Sequence, residues 1–211
     1  MKIVVFGSSG RIGRVITAEA LRRGHYVTAV SRRSHRMGLT HPRLTSVRGD
    51  AADAASVAEV ARGHDVAVVA VGPAPGGDDA LFAAVARAML AGLSQAEVKR
   101  VVVLGGAGSL EVAGGGRLVD TPDFPEPWKG NALGQAAALE LYRLSDFDWT
   151  YLSPAAVLEP GERTGHYRSG GDQLLKDAEG KSRITIPDYA LALMDEVERG
   201  DHLRQRMTVA Y

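Results

Sequence analysis

Residues 1–20 read MKIVVFGSSGRIGRVITAEA, and this stretch decides the fold. Ile3 to Phe6 is a short apolar run that stops at Gly7. Gly7, Gly10 and Gly13 then form G-x-x-G-x-x-G, and Ile12, Val15, Ile16 and Ala20 follow on one face of a helix. A strand, a glycine turn and a helix in that order need glycine for a tight turn, for close approach of a pyrophosphate to the backbone, and for close packing of helix on sheet. The helix N-terminus faces the anion. Gly7, Ser9, Gly10, Arg11, Ile12 and Gly13 are therefore expected to cradle a dinucleotide.

The same alternation repeats along the chain. Apolar runs at Tyr26 to Val30, Leu44 to Val47, Val66 to Val71, Val101 to Leu104 and Trp149 to Leu152 predict buried parallel strands, because they do not alternate with polar residues. Leu81, Phe82, Val85 and Met89 share one helical face, and a further helix near Asn131 to Leu144 carries Leu133, Ala137, Leu141 and Leu144. Beyond Pro154 a polar, glycine-rich stretch runs to Gly180. Arg183 to Ile186 follows, then a helix with Ala190, Leu193, Met194 and Val197 that Asp188 is expected to cap, and a possible last strand at Gln205 to Tyr211. The pattern predicts one α/β domain over 1–211, a doubly wound parallel sheet (Rossmann fold), with 154–211 supplying a small C-terminal substrate lobe. Two long connections, Gly105 to Trp128 and Glu159 to Gly171, exceed the usual α/β loop and suit ligand binding.

The second strand runs into AVSRRSHR. An NAD site would place Asp or Glu here to accept from the adenosine ribose 2′-hydroxyl. Ser31 has no charge to repel a phosphate, and Arg32 and Arg33 offer forked donors for a 2′-phosphate, so NADP(H) is favoured over NAD(H). After the third strand, Asp50 and Ala51 are placed beside the adenine, with a plain turn role for Asp50 weighed equally. Asp53 is expected to cap the next helix. Val71, Gly72 and Pro73 would run beside the adenosine ribose.

Lys plus Arg and Asp plus Glu both number 25, so no net field draws the chain to nucleic acid or anionic lipid. With no cysteine, thiolate nucleophiles and Cys-ligated metals are excluded. The apolar runs are too short to span a bilayer, and the N-terminal run enters a glycine turn rather than a signal-peptide cleavage site. A cytoplasmic protein without a membrane or nucleic-acid partner is expected. The six histidines, at 25, 35, 41, 64, 166 and 202, show no metal-ligand spacing, and G-S-S-G is not a nucleophile elbow. Asp146 and Asp148 read as turn residues.

With these residues in place, the chain resembles the atypical branch of the short-chain dehydrogenase/reductase superfamily. Within that branch it looks most like small NAD(P)H-binding proteins described as NADH-flavin reductases, relatives of the flavin reductase type of biliverdin reductase. The resemblance covers essentially the whole chain and rests on GSSGRIG at 7–13, GDAAD at 49–53, VVVLGGAGSLEV at 101–112, WTYLSPA at 149–155, and GGDQLL and RITIPDYA near the C-terminus. It implies that Leu104, Gly105, Gly106 and Ser109 approach the nicotinamide, and that Ser153, Pro154 and Ala155 flank its carboxamide.

One departure bears on mechanism. The superfamily commonly uses a Tyr whose pKa is lowered by a Lys four residues later, and the matching positions here are Ala132 and Ala136. Gln135 and Asn131 are the nearest polar residues, and neither titrates. What remains is hydride transfer to an acceptor with its own electron sink, a flavin, a quinone or another conjugated small molecule. Ser109 is the candidate hydrogen-bond donor to that acceptor, and Tyr167 and Trp128 are the candidate substrate-lining residues. The alternatives are a non-catalytic NADP(H)-sensing protein and a biosynthetic tailoring enzyme on the same fold, as monomer or homodimer.

Overall fold

A computed structural model describes residues 1–33, 39–73 and 79–211. Among the described residues, strands and helices alternate as β1 (Lys2–Phe6), α1 (Arg11–Arg22), β2 (Tyr26–Ser31), β3 (Leu44–Arg48), α2 (Ala54–Ala61), β4 (Val66–Val69), α3 (Ala80–Gln95), β5 (Arg100–Leu104) and α4 (Glu126–Arg143). There follow β6 (Asp148–Pro154), β7 (Val157–Glu159), β8 (Arg168–Gly170), β9 (Arg183–Thr185), α5 (Ile186–Arg199) and β10 (Gln205–Ala210). The main sheet runs β3-β2-β1-β4-β5-β6-β10-β8, and its pairings are parallel except the last, where β8 lies antiparallel to β10. β7 and β9 form a separate two-stranded parallel sheet.

Alternate side chains of the central strands feed two cores. Phe6, Val69, Val103 and Tyr151 point with Phe82, Met89 and Leu139 toward α2, α3 and α4. Ile3, Val5, Leu152 and Met207 point with Ile16, Tyr189 and Leu193 toward α1 and α5. Helices on both faces of a mostly parallel sheet make the expected doubly wound Rossmann architecture, with ligands directed to the carboxyl ends of the strands. Segment 154–211 supplies α5, which packs on α1, and β10 and β8, which extend the main sheet, as well as the small β7–β9 pair.

Several expected details are corrected. β4 ends at Val69, where Ala70 N donates to the Phe6 carbonyl and the chain turns toward the glycine loop. α4 starts at Glu126 rather than near Asn131, because Pro127 fits the first helical turn, where its missing N–H costs nothing. The face of α4 that packs inward is Ala132, Ala138, Leu139 and Tyr142, while Leu133, Ala137 and Leu144 are exposed. Ala132 meets Gly108 so closely that a Cβ on that glycine would lie 2.4 Å from the alanine methyl, so this part of the helix seats on small residues, with Leu139 and Tyr142 buried further along. Thr185, not Asp188, caps α5: its hydroxyl accepts from Asp188 N. The Asp188 carboxylate accepts instead from Thr164 N and Oγ1, Gly165 N and the Tyr211 hydroxyl. Burial pushes its pKa up, but those hydrogen bonds outweigh burial and leave it below the usual range.

Candidate functional site

The glycine turn is locked by its own backbone. Gly7 and Ser8 N–H both donate to the Val30 carbonyl, Ser8 Oγ donates to the same oxygen, and Gly10 N–H donates to the Gly7 carbonyl at 3.0 Å. Gly7 has φ +81°, and a Cβ there would lie 2.3 Å from the Ala70 carbonyl oxygen. A Cβ on Gly13 would lie 2.2 Å from the Gly7 carbonyl oxygen. α1 begins with Gly10 as an N-cap that offers no side-chain acceptor and has no acidic residue in its first turn. Its first helical hydrogen bond is Arg14 N to the Gly10 carbonyl, so no described residue accepts from the N–H of Arg11, Ile12 or Gly13. Three orphan donors at the positive end of a helix dipole suit a pyrophosphate.

A cleft of about 180 Å³ opens over this turn, lined by Gly7, Ser9, Gly10, Arg32, Asp50, Ala51, Val71 and Gly72 among others. A neighbouring cavity of about 370 Å³ shares Arg32, Gly49 and Asp50 and adds Arg48, Asp53 and Ser56. Together they run from the start of α1 across the ends of β1 and β2 to the end of β3. Asp50 Oδ1 accepts from Ala52 N at 3.0 Å, which is a turn role, while the residue also borders both cavities. Asp53 Oδ1 accepts from Ala55 N and caps α2. Arg33 is exposed and its carbonyl takes the Ser31 hydroxyl, and Pro73 is half-buried; neither borders these cavities. Arg48 was not singled out from the sequence. It sits opposite Ser31 in the β2–β3 register, which brings it to the border of the same cavity as Arg32.

At the end of β5, Gly105 N donates to the Leu152 carbonyl, and a Cβ on Gly105 would collide with the Tyr151 ring at 2.3 Å. The Gln135 side chain lies directly over Gly106. The Tyr151 hydroxyl donates to the Gln135 carbonyl, tying α4 to β6 at this turn. Ser153 and Pro154 end β6, Ala155 is buried just beyond, and the buried Ser153 Oγ has no hydrogen-bond partner among the described residues. An orphaned hydroxyl beside a double-glycine turn is consistent with a polar ligand group at this end of the sheet.

Ser109 lies elsewhere: it borders a third cavity, and its carbonyl accepts from Arg206 Nη1 at 2.9 Å. Trp128, in the first turn of α4, is 59% exposed. Tyr167 packs toward α1 and α5 and donates its hydroxyl to Asp195 Oδ2, so it does not border the cleft over the glycine turn. Burial and then the Asp195 contact hold its pKa well above the usual phenol range. Asp195 belongs to an ion-pair network on that face, in which Arg23 contacts Glu19, Asp195 and Glu198. The Arg22 guanidinium, helped by Arg163 and Arg23, holds the Glu19 carboxyl down to about 2 against the opposing effect of burial. Among the described residues no cluster of metal-ligating side chains forms and no helix is long and apolar enough to cross a membrane; His35 lies outside them.

A family model described as NAD(P)H-binding matches residues 7–197. The Bacillus subtilis (strain 168) protein "Uncharacterized protein YwnB" is 39% identical over 213 residues, covering 99% of this chain and 98% of its own. A Burkholderia pseudomallei structure described as "Putative exported protein" is 45% identical, with TM-score 0.91 and full coverage of both chains. A Streptococcus pneumoniae TIGR4 structure described as "a putative NADH-flavin reductase" is 33% identical, with TM-score 0.87, covering 100% of this chain and 99% of its own.

Proposed function

Because the chain belongs to the NAD(P)H-binding family, we propose that it is an NADP(H)-dependent reductase that passes a hydride to a flavin, a quinone or another conjugated small molecule. The observation that carries this reading is the cleft over Gly7, Ser9 and Gly10, at the start of α1 with its orphan N–H groups, which adjoins a cavity bordered by both Arg32 and Arg48. The first-turn amides of Arg11, Ile12 and Gly13 would hold the pyrophosphate, and the two guanidiniums would hold a 2′-phosphate. Gly105, Gly106, Ser153, Pro154 and Ala155 would flank the nicotinamide ring. When bound, the reduced nicotinamide supplies the hydride.

Alanine at 132 and 136 leaves those two positions of α4 without a group that can move a proton, which supports an acceptor that delocalises the incoming electron pair itself. The acceptor then takes its proton from solvent. Gln135, seated on Gly106, can donate or accept a hydrogen bond and so orient a ring without titrating. A cytoplasmic location belongs to the same proposal, since the cofactor is replenished there. The relative described as exported makes cell fractionation the check.

The test is NADPH oxidation with riboflavin, FMN and a quinone, each against a protein-free control. Turnover above control is expected with at least one acceptor. The alanines at 132 and 136 equally favour a protein that binds NADP(H) without catalysis, and tight binding with no turnover across the acceptor set would select that reading.

A further inference from the structure

The third cavity, of about 480 Å³, has an apolar wall of Leu133, Ala136 and Ala137 from α4 and a cationic floor, Arg206 of β10. The Arg206 side chain is only 4% exposed. A guanidinium carries five N–H donors, and burying it costs free energy unless they are paired. Nη1 donates to the Ser109 carbonyl. Nε lies 3.2 Å from Asp172 Oδ1, but without hydrogen-bond geometry, so that N–H has no partner among the described residues. Asp172 is a weak counterion: it is 49% exposed, and the same oxygen also accepts from Arg143 Nη2 at 3.1 Å.

The other charged groups bordering the cavity are three carboxylates, Glu111, Glu140 and Asp172, and two guanidiniums, Arg117 and Arg143, all exposed to solvent, which screens them. Arg206 is the desolvated one, so it dominates the local field. Burial lowers its pKa, as expected for a cation short of partners.

Placement ties this cavity to the nucleotide cleft. Phe6, Val69, Val103, Tyr151 and Arg206 are successive register partners across β1, β4, β5, β6 and β10. The row starts at the cleft, of which Phe6 is a wall, passes below the Gly105–Gly106 turn, and ends at Arg206. β5 and β10 are two strand spacings apart, about 10 Å.

We propose that the Arg206 cavity is an oxyanion subsite, which takes the carboxylate or phosphate of an acidic conjugated acceptor. The identity of the ligand as an acceptor rests on the reductase reading; the oxyanion site does not. Nε itself is enclosed, so an anion entering from the cavity would accept from a terminal nitrogen of the guanidinium in a charge-assisted hydrogen bond.

The experiment follows the Arg206 Nε–H resonance by nitrogen-15 NMR, identified by its loss in Arg206→Gln or, if that variant does not fold, by through-bond assignment. Benzoate and inorganic phosphate are titrated separately at constant ionic strength, with chloride as control. A saturable shift with either is expected, and the tighter of the two identifies the carboxylate or the phosphate as the recognised group. Asp172→Asn, on a half-exposed side chain, removes the competing carboxylate and is expected to tighten binding roughly tenfold. No shift beyond chloride with either anion, or no tightening in Asp172→Asn, overturns the subsite. Acceptor turnover without a shift removes the subsite alone, and a shift without any turnover removes the reductase reading alone.

Discussion

Gly13→Ala sets two effects of opposite sign against each other. Alanine inside a helix is favoured over glycine by about 1 kcal/mol, so propensity alone predicts a more stable protein. The structure predicts the reverse. A Cβ at position 13 would lie 2.2 Å from the Gly7 carbonyl oxygen, 2.9 Å from its carbonyl carbon and 3.1 Å from Ser8 Cα. All three are backbone atoms of a turn held by bonds to Val30, so none can swing aside as a side-chain tip would. Overpacking of this kind costs about 1–3 kcal/mol, and rigid neighbours put it in the upper half of that range. The expected net loss is about 1–2 kcal/mol, or a Tm lower by about 2–8 °C for a chain of this size. Relief of the clash must move the Gly7 carbonyl and with it the amides aimed at the pyrophosphate, so NADPH affinity should fall by about tenfold or more. Gly10→Ala is the control: its Cβ would meet only the Gly7 carbonyl oxygen, at 3.2 Å, and the loss should stay under about 1 kcal/mol. Urea unfolding and calorimetric titration read both quantities. A Gly13→Ala protein as stable as the parent, with unchanged NADPH affinity, would show that the turn is not held rigidly against α1.

Arg32→Ala and Arg48→Ala should each weaken NADPH binding by about 10- to 150-fold, the worth of a charge-assisted hydrogen bond, and leave NADH binding nearly unchanged. Parallel titrations with the two nucleotides check this, and equal losses for both would remove the 2′-phosphate assignment. Glu19 is held down to about 2 in the folded chain, so its contribution to stability is present above the ordinary Glu pKa of roughly 4.3 and is lost as pH falls through that range toward 2. Urea midpoints measured from neutral pH to pH 2 should therefore drop less steeply in Glu19→Gln than in the parent. Ser109→Ala should leave NADPH affinity unchanged, because Ser109 does not border the nucleotide cleft, and should raise KM for the acceptor if its hydroxyl contacts that molecule. Steady-state kinetics with saturating NADPH separates the two effects.

What was legible in the sequence was what depends on near neighbours. The spacing of Gly7, Gly10 and Gly13 encodes a local turn, and the apolar runs from Ile3 to Leu152 encode buried strands, so β1, α1 and the doubly wound order could be read directly. The inward face of α4 could not. It packs on Gly108 through Ala132, and small residues give no hydrophobic stripe, while Leu133 and Leu144 advertise a face that points outward. Arg48 reaches the cavity of Arg32 only through the β2–β3 register, a non-local fact. Arg206 sits in QRMTVA, where an arginine on a late strand ordinarily reads as a solvated side chain. Its burial follows from β8 extending the sheet beyond β10 and from α4 covering the row that ends there. Tyr167 shows the converse, an aromatic residue in a polar segment that the α1 and α5 layer captures.

Calorimetric titration of the nucleotide-free protein with NADPH and then with NADH bears most directly on what the cleft holds. One NADPH is expected to bind per chain, at least tenfold tighter than NADH, as two guanidiniums at the 2′-phosphate require. Failure of both nucleotides to bind at millimolar concentration would contradict that expectation and leave the glycine turn as a structural connection between β1 and α1.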